Sequence, residues 1–272
     1  MNNRETTLDE FNNPVTIHNA QDFKKMREAG KLASQVLDFI TPHVKEKVST
    51  LELDQLCHDF IISKGAIPAP LNYKGFPKSI CTSVNHVVCH GIPGSKILES
   101  GDIINIDITV ILNEWHGDTS RMFFIGKKSI KSKKLVEVTY KSMWEGIKKV
   151  KPGNTLGDIG NAIQSFAEKY GYSVVRDFCG HGIGKVFHSA PNILHYGKAG
   201  EGMKLREGMI FTIEPMINLG KKDIKILDDG WTAVTKDRKL SAQFEHTLGV
   251  TNQGYEVFTL SEKEKVNINK LF

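Results

Sequence analysis

Asp107 stands inside Ile103 to Leu112 (IINIDITVIL), a β-branched run with Asn105, Asp107 and Thr109 on one face and Ile and Val on the other. A carboxylate in such a strand is costly to bury unless it is paired, protonated or bound to metal. Eleven residues on, Asp118 follows in His116-Gly117-Asp118-Thr119, across a turn at Asn113-Glu114. A hairpin can bring the two acids onto one face. Two close carboxylates repel, and a divalent cation between them resolves the repulsion. The alternative is that Asp118 is a turn residue and Asp107 is hydrogen-bonded locally. The second half repeats the situation, with Glu214 in Phe211-Thr212-Ile213-Glu214-Pro215 and Glu245 in Gln243-Phe244-Glu245-His246. His181, between glycines in Cys179-Gly180-His181-Gly182, adds a nitrogen donor to which a backbone and a ligand can approach closely. Four carboxylates and an imidazole suit two divalent ions rather than one structural zinc. With a vacant catalytic position needed, a two-metal site is the economical reading.

Other chemistries fit less well. Gly180-His181-Gly182-Ile183-Gly184-Lys185 is one residue short of a phosphate loop, and Val186 replaces the Ser or Thr that would hold magnesium. No HExxH helix is present, which excludes the zincin arrangement. Cys89 and His90 are neighbours in a strand-like run and would point to opposite faces, so they do not make a nucleophile dyad. His90 and His188 are candidates for hydrogen-bond donors beside a metal pair. His116 reads better as a supporting or surface residue.

These residues need elements to hold them. Phe23, Met26, Ala29, Leu32, Ala33, Val36, Leu37 and Ile40 recur at helical spacing over Ala20 to Ile40. Thr50 is placed to cap a second helix bearing Leu53, Leu56, Phe60 and Ile61. Ile103 to Leu112 and Trp115 to Ile125 read as a hairpin. Helices are expected over Lys134 to Val150 and Thr155 to Tyr170. Strands are expected near Tyr172–Phe178, Met209–Asn218, Trp231–Thr235, Ser241–Thr251 and Glu256–Thr259. Two helices then strands, twice over, suggests a duplicated α/β unit. Residues 1–19, rich in Asn and Thr, are expected to form a loose arm before a single domain over 20–272.

The chain has 272 residues, enough to bury a large core without disulfide or metal staples. Its net charge of +5 comes with two lysine clusters, Lys127 to Lys134 and Lys221-Lys222, that read as solvated faces. No long basic stripe with interleaved aromatics suggests a specific nucleic-acid partner. The four cysteines form no CxxC, which fits free thiols in a reducing compartment. The polar start lacks the apolar core of a secretion signal, and no apolar run reaches membrane-spanning length. A cytoplasmic location away from membranes is expected.

The segments NYKGFPKSIC, VNHVVCHGIPG, GDIINIDITV, HGDTSRMFFIG, CGHGIGKVFH, GMIFTIEPMIN and SAQFEHTLGVT, in this order, resemble those of type I methionine aminopeptidases. The resemblance spans about Gln21 to Thr259. It implies a pita-bread α/β (α+β) fold, with two pseudo-symmetric halves around a central antiparallel sheet. It implies removal of the N-terminal methionine from nascent polypeptides whose second residue is small, by two-metal hydrolysis of the first peptide bond. By resemblance, Asp107, Asp118, His181, Glu214 and Glu245 match the metal ligands, Asp118 and Glu245 bridging both ions (Co, Mn, Fe or Zn). His90 and His188 match the catalytic, substrate-contacting histidines. Tyr73, Phe76, Cys81, Phe187 and Trp231 fall where the family lines its methionine pocket. Asn85, Val87 and Ser241 fall where some members hold a monovalent cation. Pro70 departs from members with a cysteine at the pocket edge. A monomer with at most a transient ribosome contact is expected.

Two departures narrow the class. Glu214 and Glu245 are 31 positions apart, too few for the helical insertion of the type II enzymes. The arm before Asn19 has no cysteine and so no zinc-finger extension. Competing readings are a proline dipeptidase of the same fold, which usually carries a large extra N-terminal domain, and a metal-free binding protein that has lost ligands. The chain's own start, Met1-Asn2-Asn3, puts a branched amide where good substrates are small, so Met1 is expected to be retained.

Overall fold

Asn19 opens the first long helix, α1 (Ala20–Ile40), by accepting the N–H groups of Gln21 and Asp22, while the Asp22 carboxylate reaches back to the Asn19 N–H. This reciprocal cap satisfies donors that a helix start otherwise leaves orphaned. The apolar stripe read from the sequence is buried, from Phe23 to Ile40. The computed structural model describes residues 5–268, and the start Met1-Asn2-Asn3 lies outside them.

Ahead of α1, β1 (Thr6–Leu8) and β2 (Pro14–Thr16) pair as a hairpin. The His18 N–H donates to the Gly208 carbonyl at 2.8 Å, and Val15 is 2% exposed in the second-half core. The expected loose arm is therefore corrected over residues 5–19. One buried valine and the docking bonds anchor a polar stretch that its composition alone reads as coil.

After α1, Ser49 rather than Thr50 caps α2 (Thr50–Ser63), its hydroxyl oxygen accepting the Glu52 N–H at 3.1 Å. Then come β3 (Ile67–Pro68), β4 (Cys81–Val84), β5 (Val87–Cys89), β6 (Ile103–Leu112) and β7 (Trp115–Phe124). The second half opens with α3 (Ile130–Ile147) and α4 (Leu156–Lys169). It continues through β8 (Ser173–Val174), β9 (Gly180–Gly182), β10 (Ser189–Ile193), β11 (Ile210–Ile213) and β12 (Met216–Asn218). β13 (Ile224–Ile226), β14 (Ala233–Thr235), β15 (Ser241–Gln243), β16 (Glu245–Val250), β17 (Tyr255–Val257) and α5 (Glu262–Ile268) complete it.

The main sheet runs β10-β9-β11-β16-β7-β6-β3, with β17 also on β16 and β4 also on β6, every pair antiparallel. Its centre is the β7–β16 pair, where His246 faces Thr119 and Glu245 faces Ser120. Each half packs its own helix pair over its own core. Val36, Leu37, Leu53, Cys57, Ile104 and Ile106 mark the first core, and Met143, Trp144, Ile159, Phe211 and Leu248 the second. The duplicated α/β plan is present.

Two expected strands are split. Met209–Asn218 divides into β11 and β12 at Glu214-Pro215, because proline has no N–H for the ladder. Ser241–Thr251 divides into β15 and β16 at Phe244. The two breaks lie opposite each other, since Ile213 pairs with His246 and Met216 with Gln243. The chain pair thus changes sheets at one place, and Glu214 and Glu245 sit at that bend. Tyr172–Phe178 keeps only β8 as strand.

Candidate functional site

A cavity of about 360 Å³ opens beside this bend. Asp107, Asp118, His181, Glu214 and Glu245 line it together with His90, His188, Tyr73, Phe76, Cys81, Phe187 and Trp231. All the residues singled out from the sequence as ligands, catalytic histidines and pocket wall thus meet in one place.

The hairpin register explains the first two acids. Asp107 faces Ser120 and Asp118 faces Thr109, so the carboxylates are diagonal neighbours on one face. The Thr109 hydroxyl donates to Asp118 Oδ1 at 2.8 Å. The Asp118 N–H donates to Thr247 Oγ1 at 3.2 Å, and that hydroxyl donates to the Asp118 carbonyl at 2.7 Å, tying β7 to β16. Gly117 allows the tight approach behind them: a Cβ there would run into the Ala29 backbone of α1. At the bend, the Thr212 hydroxyl donates to Glu214 Oε1 at 2.8 Å, and Gln243 Nε2 donates to Oε2 at 3.3 Å.

His181 shows what the cluster is for. Its Nδ1 lies 3.1 Å from the Gly182 carbonyl, which can only accept, so Nδ1 carries the proton and Nε2 is bare. That bare nitrogen stands 3.7 Å from Asp118 Oδ2 and 3.6 Å from Glu214 Oε1. Burial lowers the His181 pKa to about 4, so the ring is neutral at physiological pH. Burial also raises Asp107 and Glu214, and raises Asp118 and Glu245 further, where neighbouring carboxylates add to it. One Asp107 oxygen is buried without a hydrogen-bond partner. Lone pairs therefore converge with no protein cation among them. The oxygen-rich set with one imidazole fits divalent cations, and the His181 Nδ1 bond to a carbonyl is the usual way a ligand ring is oriented.

The apolar wall is aromatic. Tyr73 and Phe187 rings are 4.8 Å apart, and Phe76 meets Trp231 edge-on at 5.2 Å. His90 contacts Phe178 and Trp231 edge-on, at 5.2 and 6.2 Å. Its φ of 55° is a left-handed conformation uncommon for histidine, and such outliers concentrate at functional sites. His188 stands at the open side, with Nδ1 at 2.9 Å from the Tyr73 hydroxyl. Desolvation by the wall, with His181 and Lys74 nearby, lowers its pKa.

Sequence reasoning missed several contributors. His195 is fully buried and its Nε2 accepts the Glu214 N–H at 3.1 Å; a lone histidine in Ile193-Leu194-His195-Tyr196 carries no signal of this. Lys74, Cys89, Thr109, Asp177, Phe178, Cys179 and Met216 also line the cavity, as does Pro70 at the position where the pocket edge was in question. His116 stacks on Phe187 at 5.4 Å and bonds the Gly184 carbonyl through Nδ1 at 2.9 Å, a supporting position behind the wall. Of the softer trio, Asn85 and Ser241 meet: the Ser241 N–H donates to the Asn85 carbonyl at 2.9 Å. The Ser241 hydroxyl is buried without a partner, and Val87 begins β5 nearby in sequence.

The profile of metallopeptidase family M24 matches residues 24–252. A methionine aminopeptidase of Rickettsia prowazekii is 63% identical over 92% of this chain and 97% of its own length. One from Escherichia coli K12 is 51% identical over 93% of this chain and 96% of its own length. The crystal structure of the Rickettsia prowazekii enzyme superposes with a TM-score of 0.90, covering 90% of this chain and 100% of that one at 64% identity. A prolidase from Pyrococcus furiosus shares the fold, with a TM-score of 0.72 at 20% identity, over 90% of this chain and 66% of that one. The fold is thus the two-halved pita-bread arrangement around an antiparallel sheet.

Proposed function

Because the chain belongs to metallopeptidase family M24, we infer that this cavity is the active site of an aminopeptidase for N-terminal methionine. The enzyme is a hydrolase that removes Met from polypeptides whose second residue is small. The observation that carries this reading is the bare His181 Nε2 facing two buried carboxylates at 3.6 and 3.7 Å, next to an aromatic slot.

The chain uses divalent metal. Asp107, Asp118, His181, Glu214 and Glu245 are the proposed ligands and would hold two divalent ions of Co, Mn, Fe or Zn, with Asp118, His181 and Glu245 close enough together to share one ion. When bound, such a pair supplies an activated water and a Lewis acid at neutral pH. The rest of the reaction falls to the chain's own groups. Tyr73, Phe76, Cys81, Phe187 and Trp231 seat the methionine side chain, since a flexible thioether packs well against ring edges. His188, held through Nδ1 by the Tyr73 hydroxyl, hydrogen-bonds the oxygen of the scissile carbonyl as charge grows there. His90 contacts the scissile nitrogen or the other side of that oxygen. Glu214, whose Oε1 accepts the Thr212 hydroxyl at 2.8 Å, is the proposed carrier of a proton to the leaving amine.

Asn85, Val87 and Ser241 are the proposed surroundings of a monovalent cation, a reading supported by the unpartnered Ser241 hydroxyl. The proposed setting is a cytoplasmic monomer that meets nascent chains with a transient ribosome contact. Among the described residues no helix is long and apolar enough to cross a membrane.

The decisive assay is release of Met from Met-Ala-Ser against hydrolysis of Xaa-Pro dipeptides, each with and without chelator. Chelator-sensitive release of Met and no cleavage of Xaa-Pro is expected, with norleucine a slower first residue. Equal rates with Leu, Phe and Met in first position would refute the methionine slot.

A further inference from the structure

The mouth of the cavity carries a charge that the proposed chemistry leaves unused. Lys74 lies on the rim, in the turn from Asn72 to Phe76. Asn72, Lys74 and Gly75 have φ of 65°, 48° and 87°, a region that glycine enters freely and lysine rarely. Hydrogen bonds hold the turn in this shape. The Asn72 N–H donates to the Phe76 carbonyl at 2.8 Å, and the Phe76 N–H donates to the Tyr73 carbonyl at 2.9 Å. The chain thus keeps a lysine in a strained backbone conformation next to the slot.

The Lys74 ammonium stands 5.4 Å from the centre of the Tyr73 ring. That ring bonds His188 through its hydroxyl, so the charge sits one residue away from the group that meets the scissile bond. Among the described residues no carboxylate lies within ion-pair distance of Lys74. Asp177 also lines the cavity, but on the wall of Phe178, which meets His90 rather than His188.

A polypeptide with its first peptide bond between His90 and His188 leaves through this mouth. In the pose proposed above, its second residue would lie against the ligand cluster and the residues next in line would pass the exposed Lys74 rim. We propose that Lys74 is a specificity residue for the third position of the substrate, favouring acidic side chains over basic ones there. This rests on the aminopeptidase reading above.

The test compares kcat/KM for three amidated peptides, Met-Ala-Glu-Ser, Met-Ala-Lys-Ser and Met-Ala-Ser-Ser, with metal-loaded wild type, Lys74→Met and Lys74→Glu. A charge some 6–10 Å away across a wet rim changes a rate by about two- to ten-fold. Wild type should therefore favour the Glu peptide over the Lys peptide by about that factor at low salt, and less in ~0.5 M salt. Lys74→Met should level the ratio and Lys74→Glu should reverse it. Because each ratio is taken within one preparation, a loss of folded protein does not alter it. A ratio that is the same in wild type and Lys74→Glu, or a wild-type preference for the Lys peptide, overturns the proposal. If wild type releases Met from none of the three, the Ser reference included, the aminopeptidase reading falls and the charge preference with it.

Discussion

His181 and its carboxylate neighbours define what single residues do here. Asp118 is hydrogen-bonded on one oxygen by Thr109 and aims the other at His181, so an amide there would keep the first contact and lose a charge that two cations need. Asp118→Asn should abolish both activity and metal content. His188 is bonded to Tyr73 and to none of the carboxylates, so His188→Ala should retain metal and lower kcat. Loss of one oxyanion donor costs about 2.7–4 kcal/mol, or roughly 10²–10³ in kcat. Elemental analysis beside steady-state kinetics separates the two, and a metal-free His188→Ala protein would contradict its role. His195 acts differently, by fixing the backbone of Glu214. Burial lowers its pKa to about 3, below the ordinary value, so on unfolding it gains proton affinity. Its contribution is complete above the ordinary histidine pKa and is lost as pH falls from there toward 3, with a slope of up to about 1.4 kcal/mol per pH unit. Urea midpoints from pH 6.5 down to 4.5 should fall more steeply for wild type than for His195→Asn; equal slopes would show that His195 is protonated in the fold. The contrast explains what the sequence made legible at this scale. Asp107, Asp118, Glu214 and Glu245 stood out because an acid in an apolar strand conflicts with its surroundings. His195 and Lys74 conflict with nothing local, and only the packing of distant segments gives them work.

At the scale of elements, the sheet change at Glu214-Pro215 and Phe244-Glu245 and the closing helix α5 carry the most information. The Ser261 hydroxyl accepts the Glu264 N–H at 3.2 Å, and Glu264 Oε2 accepts the Ser261 N–H at 3.3 Å, a reciprocal cap on α5. The same carboxylate faces Arg121 Nη2 of β7 at 3.4 Å and, through its other oxygen, His246 Nε2 of β16 at 3.7 Å. Arg121 also bonds Asp38 of α1 at 2.9 Å, so one cluster joins both halves behind β7 and β16. Glu264→Ala removes the cap and one of the two carboxylates that face Arg121, and it takes the carboxylate neighbour from the buried His246, which burial holds neutral. A cost of about 1–3 kcal/mol is expected, from a cap near 1 kcal/mol and a long, mostly buried contact to Arg121, which keeps Asp38 as a partner. That lowers Tm by several degrees in a chain of this size, with the first loss of hydrogen-exchange protection in α5. An unchanged Tm would make the cluster a surface feature. The sequence holds the signal for this helix, Ser261 followed by Glu264, yet a seven-residue element has too little apolar periodicity to be read as one. The long elements were legible for the opposite reason: α1, β6 and β7 bury a full stripe or face, and their bounds follow from caps and turns. The two split strands were not legible as such, because apolar residues flank both breaks, Ile213 and Met216 at one and Ala242 and Phe244 at the other, and only cross-strand register shows where the pairing changes sheets. β9 was missed because Gly180-His181-Gly182 has no strand propensity of its own and is held in place by its neighbours.

Across the whole molecule, the proposed ligands come from both halves. Asp107 and Asp118 belong to the first, and His181, Glu214 and Glu245 to the second, with the β7–β16 pairing between. Ions held by these five would therefore tie the halves together, and their removal leaves four carboxyls that burial and mutual repulsion hold above their ordinary pKa. Each half keeps its own apolar core, so chelation should loosen the molecule without unfolding it. A ligand that binds only the folded state stabilises it by about 2.7 kcal/mol at a hundred times its Kd. With roughly 2–4 °C per kcal/mol in a chain of this size, Tm should rise by about 5–10 °C between chelated protein and protein titrated with Mn²⁺ to that level. The rise should grow with the logarithm of free Mn²⁺, as linkage demands. Asp118→Asn should melt near the chelated wild type and respond little to the ion, because the neutral amide relieves repulsion while removing a proposed ligand. A wild-type Tm indifferent to chelator and to Mn²⁺ would mean that the five side chains do not act as one site spanning the two halves.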